Sequence, residues 1–198
     1  MARRYFESPP RFQILHCLRN HVRGGTSLFA DAFAAAAALR AAHPADFARL
    51  VETPVPFQYI NDARHLRYAH PTISLGPAAS VAAAVAGEPG IAAVNYSPPF
   101  QAPLARDTPP AFYDALGRFA ALAEARAAVY SRRLGEGDAV VFDNRRVLHG
   151  RTAFEDRSEL GSVVGKEPNR WLKGCYFEGD LMGSHARVLR AKAARGDI

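Results

Sequence analysis

Apolar residues along this chain come mostly in short runs bounded by glycine and proline, a spacing that fits β-strands better than long helices. The clearest run is Asp138-Ala-Val-Val-Phe-Asp-Asn-Arg-Arg-Val-Leu-His149-Gly-Arg151. It predicts a short buried strand over Ala139 to Phe142, a polar corner at Asp143-Asn144, and a second strand ending in a histidine beside a glycine. Leu134-Gly-Glu-Gly-Asp138 supplies the turn before it, because glycine takes positive φ without steric cost. Upstream, Phe12 to Leu18 predicts a strand buried on much of both faces, entered after Pro9-Pro10, which favour extended backbone. Arg23-Gly-Gly25 reads as a turn and Thr26 to Phe29 as a second short strand. Asp31 caps a helix running through the alanines to Ala42; His43-Pro44 breaks it before another turn or two at Ala45 to Val51.

Further extended runs lie at Val55 to Ile60, His70 to Leu75 and Ile91 to Tyr96, with a small-residue loop over Gly76 to Gly90. Thr108-Pro-Pro110 opens a helix, since proline fits the first turn. Phe112, Leu116, Phe119 and Leu122 follow its spacing, and Val129 and Leu134 continue it more loosely. That helix is expected on the outside of the sheet. Arg170 to Phe177 reads as a closing strand, preceded by a mobile surface loop over Glu155 to Asn169. Ser184 to Arg195 reads as a basic, solvated helix.

Composition narrows the class. With 198 residues, 48% of them apolar and 22% charged, the chain has an ordinary globular balance and enough length for one domain with a core. A net charge of +6 invites a nucleic-acid partner. The arginines are scattered, however, with no basic run interleaved with aromatics, and a basic surface equally suits acidic small molecules. Nucleic acid is therefore set aside as a minor reading. Two cysteines, Cys17 and Cys175, sit in apolar strand-like segments and predict buried free thiols rather than a disulfide framework. No apolar run reaches the length of a membrane span, and the Met-Ala-Arg-Arg start has no hydrophobic region after it. We expect a soluble cytoplasmic protein with no membrane partner, mitochondrial if a eukaryotic upstream segment exists. A homodimer stays open.

The candidate chemistry begins at His149. An imidazole at the end of a rigid strand, with Gly150 leaving room for a ligand, suits a metal; it equally suits a histidine satisfied by a backbone carbonyl. Arg170 carries a planar fork that binds a carboxylate bidentately, or makes a surface ion pair. Ser27 is a hydroxyl at a strand start, and Asn95 an amide at a strand end that also suits a turn.

The wording Gly-Asp-x-Val-x-Phe-Asp-Asn-x-Arg-x-Leu-His-Gly-Arg over residues 137 to 151 resembles the distal-histidine segment of Fe(II)/2-oxoglutarate dioxygenases. It is most similar to the γ-butyrobetaine and trimethyllysine dioxygenase branch of the TauD/TfdA family. The resemblance implies a mainly β fold with flanking helices, a double-stranded β-helix (a jelly-roll barrel), and iron on a His-x-Asp/Glu…His triad with His149 as the last ligand. Gly-Gly-Thr-Ser implies that Ser27 helps hold 2-oxoglutarate. The Arg-x-Leu-x-Gly-x-Tyr context of Arg170, Leu172, Gly174 and Tyr176 implies that Arg170 pairs with its C5 carboxylate. Asn95 is implied as a contact of the substrate's carboxylate. His149 and Arg170 stand farther apart than in that pattern, so the intervening loop must bulge outward.

No His-x-Asp or His-x-Glu occurs in the chain. Counting back from Pro9-Pro10 puts the acidic ligand near Ala2 and its histidine before Met1. The expectation is thus a single TauD/TfdA-like domain over 1–198, N-terminally incomplete, lacking the first two iron ligands and inactive alone. No catalytic side chain is assigned. Fe(II) as cofactor, 2-oxoglutarate as cosubstrate and a small trimethylammonium substrate of carnitine biosynthesis are implied for the whole enzyme. The alternative is a non-catalytic jelly-roll remnant that binds ligands or partners.

Overall fold

The computed structural model describes residues 3–76, 90–155 and 168–197. Most of the small-residue loop and of the loop between His149 and Arg170 lies outside them. Strand β1 (Phe12–Asn20) runs antiparallel between β9 (Ala139–Asp143) and β12 (Arg170–Phe177). A second sheet places β3 (Ser27–Asp31) between β8 (Val129–Arg132) and β10 (Val147–Arg151).

Register decides which side chains meet. Gln13 stands opposite both Phe142 and Tyr176, and Cys17 opposite Leu172. A bulge between Cys17 and Arg19 then brings Asn20 opposite Arg170. Opposite residues of antiparallel strands project from the same face, so these side chains share one side of the first sheet. In the second sheet Phe29 is opposite His149 and Tyr130, and Ser27 is opposite Arg151 and Arg132. The Phe142 ring lies 5.6 Å from Phe29 and 4.8 Å from His149. The two faces therefore look at each other, as layers packed around apolar side chains do.

The other side of the second sheet is covered by α1 (Ala32–Ala42) and α3 (Pro110–Glu124), with α2 (Pro44–Glu52) packed against both helices. Ala36, Leu39, Leu50, Phe112, Ala115 and Phe119 form the fully buried centre there, with Leu148 packed against them. Burial of each Leu or Phe contributes about 1.5–3 kcal/mol. Asp31 starts α1, accepting from the Phe33 and Ala34 N–H groups at 3.0 and 3.3 Å. The same carboxylate accepts from Arg146 Nε at 3.1 Å, so it ties β3, α1 and the β9–β10 corner together.

Helix α3 ends at Glu124 and Val129 belongs to β8, opposite Ala30; its helical spacing is accidental. Strand β4 (Pro54–Asn61) turns back as β5 (Arg64–Pro71) through Asp62 and Ala63, both at positive φ (51° and 56°). The expected run from His70 to Leu75 takes in only the end of the second arm, because β5 is largely exposed and carries little apolar alternation. Strand β6 (Ile73–Gly76) pairs with β7 (Gly90–Val94), and β2 (Arg23–Gly24) with β11 (Phe154–Glu155). Helix α4 (Gly179–Arg195) contains no buried residue. Cys17 is buried as expected, but Cys175 is exposed. On β12 it alternates with Tyr176 and so points away from the facing sheet. Among the described residues the strands form separate sheets rather than one closed barrel, and no helix is long and apolar enough to cross a membrane.

Truncating Phe119 to alanine is expected to destabilise the protein by about 3–5 kcal/mol, read from denaturant unfolding. Acid should act through Asp31. The Arg146 hydrogen bond holds this carboxyl below its ordinary value of 3.8, against the opposing push of burial. A depressed carboxyl gives stability that is present above its ordinary value and lost as pH falls toward its folded one. The stability gap between the wild type and Asp31→Asn should therefore narrow as pH drops from about 7 to about 3. Unfolding midpoints at both pH values test this, and a constant gap contradicts it.

Candidate active-site face

The space between the two sheets gathers three of the four residues singled out above. His149 is half-buried there, in ring contact with Phe142 at 4.8 Å. Burial, reinforced by the Arg4 cation, pushes its imidazole down to about 4. It is therefore neutral near neutral pH, the form that ligates metals. Ser27 is buried on the same face, diagonal to His149 across the β3–β10 ladder.

Arg170 enters from the first sheet. Its side chain fills the space above Gly25, where an added Cβ would stand 2.9 Å from Arg170 Nε and 3.5 Å from Phe154 Cβ. Gly25 also sits at φ +68°, a region that favours glycine. The glycine pair thus does more than turn the chain: it makes the slot in which the arginine lies. Burial first, and then the Arg151 and Arg133 charges, lower the Arg170 pKa, opposed by Cys17. Arg170 Nε is buried and has no hydrogen-bond partner among the described residues.

Among the described residues Asn95 is hydrogen-bonded elsewhere. It is buried at the β5–β6 corner, where its Nδ2 donates to Pro71 O at 2.9 Å and Ser74 Oγ at 3.1 Å, and its backbone N–H to Thr72 O at 2.7 Å.

Sequence reasoning passed over a buried polar group beside His149. Arg4 is 1% exposed and donates from Nη2 to the Asn144 carbonyl. Burial and then the neighbouring Arg145 lower its pKa to about 10, with Asp143 opposing. Arg4 Nε, both polar atoms of the Asn144 carboxamide and Gln13 Oε1 are buried with no partner among the described residues. Such atoms are costly to bury unsatisfied. An arginine in a polar N-terminal segment gives no periodic signal of burial, whereas Asn144 does lie within the quoted motif.

Metal binding can be tested against this donor set. Among the described residues no three His, Cys, Asp or Glu side chains come together. One imidazole near a guanidinium does not by itself fit an iron ion. Cavities flank the second sheet on both sides. One of about 360 Å³ lies between the sheets against Phe29, Tyr130 and Phe142. Another of about 720 Å³ runs against Tyr96, Glu124 and Arg126 on the helix side, and His149, Gly150 and Phe29 also line it.

Comparison with known proteins converges on one family. Residues 3–176 match the family model described as taurine catabolism dioxygenase TauD, TfdA family. The chain is 52% identical over 186 residues to dioxygenase str8 of Strobilurus tenacellus, covering 94% of this chain and 42% of that protein. It is 37% identical over 187 residues to the γ-butyrobetaine dioxygenase of Pseudomonas sp. (strain AK-1), covering 93% of this chain and 44% of that one. It thus spans under half the length of these relatives. Among solved structures, a taurine dioxygenase from Burkholderia xenovorans superposes with a TM-score of 0.62 at 17% identity, over 89% of this chain and 56% of that one. An asparagine oxygenase solved with Fe(II), hydroxyasparagine and succinate gives 0.60 at 21%, over 89% and 48%. At these identities the structures speak for the fold alone.

Gly25→Ala should move Arg170 out of its slot and destabilise the chain by about 1 kcal/mol or more, because alanine resists positive φ. Thermal unfolding and the NMR signal of the Arg170 Nε–H read the two effects. An unchanged signal would show that the slot does not hold the arginine.

Proposed function

The chain belongs to the taurine catabolism dioxygenase TauD, TfdA family, and from that premise we propose that it is the distal-histidine part of an Fe(II)- and 2-oxoglutarate-dependent hydroxylase. Its proposed substrate is a small trimethylammonium compound, γ-butyrobetaine or trimethyllysine. The observation that supports this reading most is the convergence of His149, Ser27 and Arg170 on one inter-sheet space. The substrate class rests on relatives named γ-butyrobetaine dioxygenase and trimethyllysine dioxygenase, the latter at 28% identity in Gallus gallus. Family membership and the iron- and oxoglutarate-bearing neighbours support dependence on both in general.

In this reading the chain's own residues bind and orient. Arg170 receives the far carboxylate of 2-oxoglutarate through paired N–H donors, and the Ser27 hydroxyl donates beside it. His149 offers a neutral imidazole, held in direction by the Phe142 ring. Asn95 reaches the substrate carboxylate only if its amide leaves Ser74. Two further metal ligands come from residues outside those described, within one domain that residues 1–198 share with an upstream part, in a cytoplasmic protein. The donor set of the described residues also favours a second reading, a non-catalytic remnant of the fold.

Anaerobic iron titration separates the two. The chain as given should show no oxoglutarate-dependent colour, whereas an upstream-extended form carrying a His-x-Asp pair should decarboxylate 2-oxoglutarate with γ-butyrobetaine present. In that form His149→Ala should fall below detection, and Arg170→Ala should raise KM for oxoglutarate about 10–100-fold, the size of a charge-assisted contact. Turnover that survives His149→Ala unchanged overturns the proposal; an inactive extended form supports the remnant.

A further inference from the structure

We propose that Arg151 is a second carboxylate-binding residue, acting with Arg170 on the shared platform of the Phe154 ring, so that two guanidinium groups grip one end of a dicarboxylic acid. The proposal rests on the reading above that Arg170 faces the cosubstrate, and adds to it a partner and a positioning side chain.

Three observations carry it. The first is placement. Arg151 stands opposite Ser27 in the β3–β10 ladder, which puts it on the face that carries Ser27 and His149. Its guanidinium carbon lies 4.6 Å from the Phe154 ring centroid, and that of Arg170 lies 5.4 Å from the same centroid. Both fall within the range of cation–π attraction.

The second is the charge left over. Among the described residues neither Arg151 nor Arg170 forms an ion pair with a carboxylate, while their neighbours are satisfied. Arg132 pairs with Asp138 at 3.6 Å. Arg133 donates to the carbonyls of Asn20, Val22 and Gly24 at 3.0, 2.6 and 2.8 Å. Arg151 has one such bond, from Nη1 to Thr152 O at 3.0 Å, and Arg170 Nε has none. Two like charges at one ring repel each other, and a planar anion with two acceptor oxygens relieves the repulsion and fills the open donors.

The third is how the platform is built. Phe154 sits in β11 directly opposite Gly24. A Cβ at Gly24 would come within 3.3 Å of Phe154 Cα and 2.4 Å of Ala153 O. Ala153 O also accepts from the Gly25 N–H at 3.0 Å. The glycine pair thus seats the phenylalanine backbone and clears the slot for Arg170 at once. A partly exposed aromatic ring, 39% accessible, is held in place by backbone contacts beneath it.

Equilibrium titration of the full chain without metal, at low salt, tests the idea with two probes. One is 2-oxoglutarate; the other is glutarate, which lacks the keto group and so reports a carboxylate grip alone. Arg151→Gln is expected to weaken both probes about threefold to tenfold, in line with a partly exposed charge-assisted contact. Phe154→Leu should weaken both as well, although every charge remains, and Arg170→Gln should weaken them most. Arg151→Lys keeps the charge without the planar fork and should fall between wild type and Arg151→Gln. Wild-type affinity in Arg151→Gln, with loss in Arg170→Gln, overturns the inference and leaves the family reading of Arg170 standing. Glutarate binding that neither arginine variant alters, or no glutarate binding by the wild type, overturns it too. Thermal unfolding of each variant shows whether a loss comes from misfolding; the exposed Arg151 variants should melt with the wild type.

Discussion

The contact of Phe142 with both Phe29 and His149 is the constraint on which the site depends. It joins a side chain of the first sheet to two of the second, at 5.6 and 4.8 Å. It sets the imidazole against the sheet that also carries Arg170. An aromatic cluster of this kind is worth about 0.5–1.5 kcal/mol per ring pair beyond burial. Its greater value is geometric, because packed rings have few alternative arrangements. The helices behind the second sheet serve the same end, since Leu148 packs on their core while His149, its neighbour in the strand, points the other way. One strand therefore anchors itself on one face and turns the His149 imidazole to the other.

Electrostatics gives the inter-sheet space its character. Arg4, Arg151 and Arg170 bring positive charge to it, and the imidazole that shares it is held neutral by burial. Burying Arg4 is unfavourable unless its donors are met, and its Nη2 bond to the Asn144 carbonyl leaves Nε open among the described residues. A region that accumulates donors in this way is prepared for an anion. That fits a family whose cosubstrate is a dicarboxylate, and it does not fit a cation held by the described residues alone.

Much of this was legible in the sequence. The strand ending in His149 and the closing strand from Arg170 were read from apolar runs and turn residues, and Asp31 was read as a helix cap; β9, β10, β12 and α1 agree. What escaped was information that no local pattern holds. Cys175 looks as apolar in context as Cys17, and only the pairing of β12 shows which of the two faces solvent. Val129 continued a helical spacing by chance, because a residue's place in a period says nothing about where the helix stops. Arg170 was found from its neighbours, but Phe154 and the slot at Gly25 were not. Their roles arise from a β2–β11 contact between residues about 130 positions apart in sequence, which the Gly-Gly pair advertised only as a turn.

These placements bear on how the site tolerates change. Its groups are divided between sheets, with His149, Ser27 and Arg151 on one and Arg170 on the other. Their mutual distances are therefore set by the packing between layers and not by any single strand. Cores respond to lost volume by partial collapse, which shifts neighbouring elements by fractions of an ångström. Binding a small dicarboxylate by paired donors requires distances held about that tightly. A substitution at Phe29 or Phe142 would loosen ring contacts that span the gap beside His149. In the proposed site apolar packing is therefore part of the geometry, and the boundary between a stability residue and a site residue runs through the Phe142 ring itself.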